Sequence, residues 1–554
     1  MKRVFNLISL LLVTGMIFCS CTGCGGGQSG KDSKHQFDEN DGPLVPYEET
    51  LKVTQVRYQN TSVTYARGED KSDNFIRDFF KEKLNMEWES VWTTDYSSYF
   101  TKLNLDIAGN DLPDVFMVDG AQLQTLIEND QIEDLTDYYD YYASDRLKEN
   151  IEYGDKMLLD FPTHEGKLYG VPLTSSYAGN TGFMWIRTDW MKKLGLSAPT
   201  TYQELCQYID TLKKSGLCAN NSSGFSFLGA GSVSFDSISQ MYGAYYDYFV
   251  KDESTNKLIY SGITDNMKNA LKAMQDMFKA GLIDSDWAAK GSTEEEMISV
   301  GQYGIVFGQY YYPGLLSGSL LNDSNADWEA YPLPALNADS KARPKGTDYV
   351  NGYVVVRKGY EHPEALLKSM NLWAELWTDG GEYNGWLTER MTTDHKTVKL
   401  IGEYALPYQF DGVLTFNSIG KSIREVLSSA NPETEINNHV YSKMTFNYIN
   451  DYLKDPKNTA NISGEGWKLY KIYTSAAPVM DQYMGNLKFN EYHGMLSEDS
   501  AFNKVTLDKM MVECYTNIIM GDSIDTFDAF VKEWYKEGGQ TMLDEVNQWY
   551  SSQS

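Results

Sequence analysis

The sequence predicts an α/β fold with more than one domain and mainly parallel sheets. Its 554 residues exceed what a single hydrophobic core usually organises, so two or more domains are expected. Strand-like and helical segments alternate from Lys52 to Thr136, which is the pattern of βαβ units. A composition of 42% hydrophobic and 23% charged residues is typical of globular chains, so most of the sequence is expected to fold.

The N-terminus has the features of an export signal followed by a tether. A short basic start precedes residues 4–18, which are mostly apolar but too few for a transmembrane helix. Cys21 follows them in the setting of a bacterial lipoprotein acylation site, and Cys24 is the alternative. The residues after these cysteines are polar and rich in glycine. The sequence therefore predicts a lipoprotein signal peptide over 1–20 and a lipid-anchored, flexible tether over 21–47.

Three strand–helix pairs are predicted at the start of the folded chain. They are a strand at Lys52–Tyr58, a helix at Glu69–Leu84, a strand at Met86–Trp88, a helix at about Tyr99–Ala108, a buried strand within Leu112–Gly120 and a helix at Ala121–Asn129. Because ligands bind beyond the carboxyl ends of strands in such sheets, Trp92, Asp95 and Asp119 are candidate ligand contacts. Asp119 fits the role of a helix N-cap equally well.

The stretch Asp160–Leu196 predicts a polar loop, a strand and a helix. Phe183–Ile186 is an apolar run with strand character, in which we interpret Trp185 as a core residue. Thr188-Asp189 is predicted to cap the following helix, and Gly195 to end it in a left-handed conformation. Later elements are helices at Thr201–Leu212, Asp265–Ala280 and His362–Trp377, a strand leading into Tyr310-Tyr311-Tyr312, a strand at Asn351–Val356 and mostly helices from about residue 410.

Two stretches carry a resemblance to a known family. Asp160–Leu196, followed by PTTYQEL at 199–205, resembles the family 1 extracellular solute-binding proteins of ABC importers. The ending MGDSIDTFDAFVKEWYKEGGQTMLDEVNQWY resembles the large carbohydrate-uptake lipoprotein branch of that family. The resemblance implies a periplasmic-binding-protein-like α/β fold: two lobes with mixed, mainly parallel sheets flanked by helices, joined by crossing hinge segments. The first lobe would comprise residues 48–171 and about 348–410, and the second 172–347 and about 411–554.

Ten residues are candidate ligand contacts. Nine lie where the pattern places loops at strand ends, and the last lies in a glycine-rich aromatic loop. They are Trp92, Asp95, Asp119, Tyr177, Asn180, Trp287, Tyr310, Tyr311, Asn351 and Trp386. Aromatic residues make up 14% of the chain, and the flat faces of tyrosine and tryptophan suit a wet site that grips a polar ligand.

Composition and motifs exclude several other classes of function. The net charge of −29 argues against nucleic-acid binding, which needs clustered lysine and arginine. The six histidines are scattered, and no nucleotide-binding, zinc-protease or serine-hydrolase motif is present. No catalytic residue, metal site or cofactor is therefore predicted. Cys206 and Cys218 are close enough in sequence to form a bridge, but nothing requires one.

We therefore expect a monomeric, surface-anchored binding subunit of an ABC importer. Its ligand would be a mono- or oligosaccharide, its protein partner the membrane permease, and its only membrane contact the N-terminal lipid anchor. Two alternatives stay open from the sequence. One is a secreted glycosidase or lyase, because paired carboxylates cannot be recognised from sequence in an acidic chain. The other is a peptide- or lipid-binding receptor on the same scaffold.

Overall fold

The computed structural model describes most of the chain after the tether. The described residues are 37–59, 63, 65–66, 68–151, 157–174, 178–179, 181–227, 232–290, 293–346, 350–378, 380–392, 415–430 and 440–552. Residues 39–554 form one compact unit. Among the described residues, no helix has the length and apolar character needed to cross a membrane.

The strands form two main sheets and two hairpins. They are β1 Leu51–Tyr58, β2 Met86–Thr94, β3 Val115–Val118, β4 Thr163–His164, β5 Lys167–Leu168, β6 Val171–Thr174, β7 Phe183–Arg187, β8 Phe225–Ser226, β9 Phe249–Asp252, β10 Lys257–Tyr260, β11 Ile305–Gly308, β12 Trp328–Tyr331 and β13 Val350–Val356. The first sheet has the order β2-β1-β3-β13-β6, and the second has the order β12-β7-β11-β8. The pairs β4-β5 and β9-β10 are separate hairpins.

Helices surround both sheets and dominate the C-terminal part. They are α1 Phe75–Leu84, α2 Tyr96–Gly109, α3 Gly120–Glu128, α4 Thr136–Tyr142, α5 Asp145–Ile151, α6 Met157–Asp160, α7 Thr188–Leu194, α8 Tyr202–Ser215, α9 Ser232–Ser239, α10 Asp265–Lys279, α11 Trp287–Lys290, α12 Glu294–Ser299, α13 Pro313–Asn322, α14 Glu364–Trp377, α15 Asn384–Thr392, α16 Thr415–Ser428, α17 Val440–Lys454, α18 Thr459–Ser463, α19 Glu465–Lys471, α20 Ala477–Tyr483, α21 Glu498–Met520, α22 Thr526–Trp534 and α23 Gln540–Ser552. The expectation of a mostly helical C-terminal region is confirmed over the described residues.

Only part of each sheet is parallel. Strand β1 pairs in parallel with β2 and β3, as the alternating pattern predicts. Strand β13 pairs antiparallel with β3 and β6, and β7 pairs antiparallel with β11 and β12. The prediction of mainly parallel sheets is therefore right for β1 to β3 and for β8 with β11, whereas the pairs that β7 and β13 form beside the crossings are antiparallel. A βαβ unit returns the chain in the same direction, whereas a strand entered from the other sheet need not run that way.

The second sheet is covered on both faces, which explains the continuous apolar run of β7. Side chains alternate along a strand, so one strand can feed two cores. Met184 and Ile186 belong to a core that includes α8, α10, α21 and the C-terminal helices. Phe183 and Trp185 belong to a second core with α16, α19 and α20. Trp185 is fully buried, as predicted, and its indole donates to the Gln309 carbonyl at 3.2 Å.

Local signals predict several element ends correctly, and two helix starts and one strand end differ clearly from the prediction. The sequence allows two capping boxes at the start of α8, Thr200/Gln203 and Thr201/Glu204, and the structure has the second. Gly195 ends α7 at φ 66°, as predicted. The predicted cap at Thr188-Asp189 is wrong: these residues lie inside α7, and the Asp189 carboxylate binds Arg187 instead. Helix α1 begins at Phe75 because Asn74 caps it, six residues later than predicted. Strand β2 continues to Thr94 through residues predicted to be a loop.

Candidate functional site: a central cavity beside the crossing segments

The crossing segments join one edge of the first sheet to one edge of the second. Strands β1, β2 and β3 end at this edge of the first sheet, β6 also ends there, and β13 starts there. In the second sheet, β11 and β12 end where β7 starts. Residues 175–182 connect the two edges, and at about 3.5 Å per residue they span no more than about 28 Å. The strand ends at which the sequence predicts ligand contacts therefore lie on the two sheet edges that this crossing joins.

The two crossing segments are also bonded to each other. The first crossing is residues 175–182, and the second is the chain between β12 and β13. The hydroxyl of Thr181 in the first crossing donates to the Lys345 carbonyl in the second at 3.1 Å. Both groups are buried. The Lys345 backbone N–H donates to the Gln240 side chain at 2.8 Å, which fixes the second crossing to α9 and the turn after it. The second crossing is thus held by the side chains of Thr181 and Gln240.

A cavity of about 520 Å³ lies next to the second crossing segment. We call it the central cavity. Residues after β3 and within β13 form one wall, together with Phe161, and residues that pack on the second sheet's core form the other. The lining residues used below are Gly120, Phe161, Tyr353, Asp247, Tyr248, Asn490, Tyr492, His493 and Lys504. Its volume falls within the range of about 300–1,000 Å³ that is usual for small-molecule sites.

The first wall is a pair of stacked rings. Phe161 lies parallel to Tyr353, with ring centroids 5.0 Å apart and an interplanar angle of 13°. Gly120 allows this arrangement, because a Cβ at that position would come within 2.8 Å of the Phe161 ring. Tyr353 is nearly buried, while Phe161 keeps part of its ring exposed. A flat apolar face with a limited exposed area is suited to stacking on a ligand ring.

The opposite wall contains a buried ion cluster. The Lys345 ammonium lies 2.9 Å from an Asp236 oxygen, also contacts Asp247, and sits 4.5 Å from the centroid of the Tyr248 ring. Burial acts to lower the pKa of Lys345, but the two carboxylates outweigh it and the pKa is raised. The Tyr248 hydroxyl donates to the Gly346 carbonyl at 2.8 Å. Asp247 therefore reaches the cavity already paired with Lys345, a cation that it shares with Asp236.

The segment before α21 supplies polar groups to the same wall. Asn490 accepts from the Phe249 backbone N–H at 2.9 Å and donates to the Tyr492 carbonyl at 3.1 Å. Tyr492 is 7% exposed, and its hydroxyl has no hydrogen-bond partner within the described part of the chain. Burial lowers the pKa of His493, so this side chain is neutral at neutral pH. The Tyr492 hydroxyl is itself buried, so this segment offers the cavity the Tyr492 ring and the side chains of Asn490 and His493.

Two predicted contacts lie beside the end of β2. The Trp92 indole donates to Asp106 at 2.7 Å, and its ring lies 4.5 Å from the Lys102 ammonium and 5.4 Å from the Tyr99 ring. Asp95 is the N-cap of α2 and accepts from the Ser98 N–H at 3.0 Å. The Ser97 hydroxyl, followed by Ser98, holds the pKa of Asp95 below its usual value. Both residues lie at the edge of the first sheet that the crossings join, and both are already hydrogen-bonded within the protein.

Asp119 is the N-cap of α3. It forms a full capping box, accepting from the Gln122 N–H at 2.8 Å while the Gln122 side chain accepts from the Asp119 N–H. The N-cap interpretation is therefore confirmed. Asp119 directly precedes Gly120, which lines the central cavity, so a ligand contact for Asp119 stays a prediction.

Tyr310 and Tyr311 follow β11 at the connected edge of the second sheet. Tyr310 is half-buried against Phe416, with ring centroids 4.7 Å apart. Tyr311 is 45% exposed and meets Tyr310 edge-to-face at 5.5 Å. Tyr310 thus serves as a support, and Tyr311 presents its ring to solvent.

Two predicted contacts lie in helices instead of the loops that the sequence predicts, and both rings pack against other rings. Trp287 is 3% exposed and packs edge-to-face on Phe227 in the core, because α11 starts at this residue and turns the ring inward. Trp386 lies in α15 rather than in a loop and stacks on Phe79 of α1 at 4.4 Å. Both residues lie in helices. The glycine-rich sequence around Trp386 and the acidic sequence before Trp287 gave no indication of those helices.

Several predictions fall on residues that the structure does not describe. Tyr177, Asn180, Cys21 and Cys24 lie outside the described residues. Asn351 lies in β13, and its side chain is not among those described. Cys206, Cys218 and Cys514 are free thiols.

The residues that line the central cavity were not among the ligand contacts predicted from the sequence. Phe161 and Tyr353 belong to segments that only the fold brings together, and the sequence gives no sign of their pairing. The segment FNEYHG at 489–494 did carry a signal: aromatic, amide, histidine and glycine residues stand together between helices. Such a cluster in a loop is a reasonable candidate for a site.

Comparisons with known proteins agree with this architecture. The family model described as "Bacterial extracellular solute-binding protein" matches residues 67–375. The fructooligosaccharide ABC transporter substrate-binding protein FusA of Streptococcus pneumoniae serotype 4 is 27% identical over 305 residues, which is 50% of this chain and 53% of that protein. The match thus spans about half the length of that relative. Lipoprotein LipO of Bacillus subtilis (strain 168) is 22% identical over 479 residues, 84% of this chain and 86% of that protein.

Solved structures show the same fold. The S. pneumoniae FusA structure in complex with kestose has a TM-score of 0.56 at 17% identity, covering 90% of this chain and 99% of that one. An extracellular solute-binding protein from Bifidobacterium longum subsp. infantis has a TM-score of 0.58 at 15% identity, covering 92% of this chain and 99% of that one. The predicted periplasmic-binding-protein-like fold is confirmed. The chain belongs to the bacterial extracellular solute-binding protein family.

Proposed function

We propose that the chain is the lipid-anchored binding subunit of an ABC importer that captures an oligosaccharide and delivers it to the membrane permease. The central cavity, with its stacked Phe161–Tyr353 wall, is the observation that supports this most directly. Aromatic faces can stack on the C–H surfaces of sugar rings, while neighbouring polar groups take the hydroxyls. The relative FusA is named for fructooligosaccharides, and the chain's likeness to it supports a saccharide ligand.

We further propose that the two sheets belong to two lobes that close on the ligand. The first lobe would comprise residues 48–171 and about 348–410, and the second 172–347 and about 411–554. The passage of the chain between the sheets after β6 and again before β13 supports these limits. A ligand shifts such an equilibrium only if it binds the closed state more tightly than the open one. That difference would report occupancy to the permease.

Anchoring and delivery rest on the N-terminal sequence and on the relatives. The export signal over residues 1–20 and Cys21, with Cys24 as the alternative, support a lipid anchor on the extracytoplasmic face. LipO is named as a lipoprotein, and FusA as an ABC transporter protein. The chain would act as a monomer and release its ligand unaltered, without a cofactor.

The predicted residues at the connected edges remain proposed ligand contacts. They are Trp92, Asp95, Asp119, Tyr310 and Tyr311, together with Tyr177, Asn180 and Asn351. To these we add Phe161, Tyr353 and Tyr492 from the cavity wall.

A ligand screen on the full chain tests the proposed function. The detergent-solubilised protein would be titrated with kestose, maltotriose, a pentapeptide and a fatty acid, with melting temperature and calorimetry as readouts. We expect at least one saccharide to bind with a Kd near the micromolar level, about −8 kcal/mol, and to be recovered intact. Binding of the peptide or fatty acid alone would support the alternative receptor. Cleavage of a bound saccharide would support the glycosidase or lyase.

A further inference from the structure

We propose that the central cavity selects uncharged saccharides and rejects those that carry carboxylates. This rests on the proposed function of saccharide capture and adds the chemical class of the sugar. The reason is that the cations described at and behind the cavity wall are already paired with carboxylates of the protein. None of the described lining residues offers a cation that is free of an internal carboxylate partner.

The Asp247 carboxylate is matched by a buried ammonium. The Asp247 side chain is 43% exposed, while the Lys345 and Asp236 side chains are 9% and 6% exposed. Lys345 is shared by both carboxylates, so the cluster has no positive charge left for a ligand. Its exposed member is a carboxylate, which accepts hydrogen bonds from sugar hydroxyls and repels an anion.

The second pair lies on α21. The Lys504 ammonium is 2.7 Å from an Asp508 oxygen one helical turn along, and the two side chains are 28% and 33% exposed. Asp508 also accepts from the Tyr260 hydroxyl at 3.3 Å, which fixes its position. Lys504 reaches the cavity, but its charge is offset by a carboxylate that does not line it.

The remaining polar groups of the wall are neutral. His493 is partly buried and carries no charge at neutral pH, since burial lowers its pKa. The buried Tyr492 hydroxyl lacks a partner within the described residues, and Asn490 is fixed by backbone contacts. The Asn490 amide and the His493 ring can exchange hydrogen bonds with sugar hydroxyls. A uronate would have to leave water without meeting a counter-charge, which is unfavourable. The net charge of −29 adds a longer-range repulsion of anions.

A matched pair of trisaccharide classes tests the inference. Calorimetry on the full chain would compare the neutral sugars kestose and maltotriose with trigalacturonate, at low and at physiological salt. We expect the tighter neutral sugar to bind at least about tenfold more strongly than the uronate, because the uronate carboxylates lose hydration without compensation. Equal or tighter binding of trigalacturonate would overturn the inference while leaving saccharide capture intact. Failure of every saccharide to bind would instead contradict the proposed function.

Two variants test whether the Lys504–Asp508 pair on α21 contributes to the discrimination against the uronate. Asp508→Asn removes the partner of Lys504 without touching the cavity wall. We expect it to raise trigalacturonate affinity about fivefold at low salt, with neutral binding within about twofold of wild type. The double variant Lys504→Met/Asp508→Asn should return the ratio of the two affinities to the wild-type value. An unchanged ratio in Asp508→Asn, in a protein whose melting temperature shows it is folded, would contradict the role given to this pair.

Discussion

Phe161 and Tyr353 stack their rings in parallel across the first wall of the central cavity, 5.0 Å apart between centroids. Phe161 comes from the loop after α6, and Tyr353 comes from β13, where it pairs with Val118. The pair therefore links a loop to the middle of the first sheet. This link gives the exposed part of the Phe161 ring a fixed orientation.

Replacing Phe161 by leucine should weaken saccharide binding. The substitution keeps apolar volume but removes the flat ring, so we expect an affinity loss of about tenfold, about 1.4 kcal/mol. Phe161→Tyr keeps the ring and should bind within about twofold of wild type. Calorimetry with the best saccharide of the screen is the measurement. Equal affinities for the leucine and tyrosine variants would remove stacking as the role of Phe161.

Lys345→Met should destabilise the protein strongly. It leaves the buried Asp236 carboxylate without its cation, and breaking a buried pair typically costs about 3–5 kcal/mol. The control is Lys214→Met, because the Lys214–Asp210 pair is largely exposed, and such pairs contribute about 0–1 kcal/mol. Urea unfolding of both variants gives the comparison. A loss for Lys345→Met no larger than that of the control would show that the buried cluster does not stabilise the fold.

Asp119→Ala should lower the free energy of unfolding by about 1 kcal/mol, because it removes the N-cap of α3. Asp119→Asn should restore most of this loss, since asparagine is an equally good cap. The two unfolding curves are measured without ligand. Calorimetry on Asp119→Asn then reports on the ligand contact separately, because the cap is kept. Alanine and asparagine variants of equal stability would be inconsistent with the observed capping box.

Stability should fall in mild acid because of His493. Burial lowers its pKa in the folded protein, with Glu491 opposing weakly, so the unfolded chain takes up a proton at higher pH. The contribution is fully present above the ordinary pKa of 6.5 and is lost as pH falls toward the lower folded value. Wild type should therefore lose more stability than His493→Gln between about pH 7.5 and pH 5. Parallel stability curves for the two proteins would rule out this contribution.

The fold was readable from the sequence wherever one segment carries its own signal. The apolar run of β7 shows a strand buried on both faces, and the stripe of α10 places Met267, Leu271 and Met274 in the core. Gly195 and the Thr201–Glu204 box mark helix ends through their own backbone chemistry. These features depend on neighbours in the chain, so the sequence contains them.

The site was less readable because its walls come from distant segments. The strand-end rule placed Trp92, Asp95, Asp119 and Tyr311 at the connected edges, since strand direction follows from the alternating pattern. The rule could not predict the cluster of Lys345, Asp236 and Asp247, because these residues come together only in the folded protein. Trp287 was misjudged for the same reason, because the direction of its ring depends on Phe227 far upstream.

The hydrogen bond from Thr181 to the Lys345 carbonyl makes the two passages between the sheets mechanically dependent. The two connecting segments stay together at this point as long as the hydrogen bond is kept. If the two proposed lobes turn against each other, the segments would therefore turn together beside Lys345. Removing the Thr181 hydroxyl would then change how the proposed lobes move without altering any proposed ligand contact.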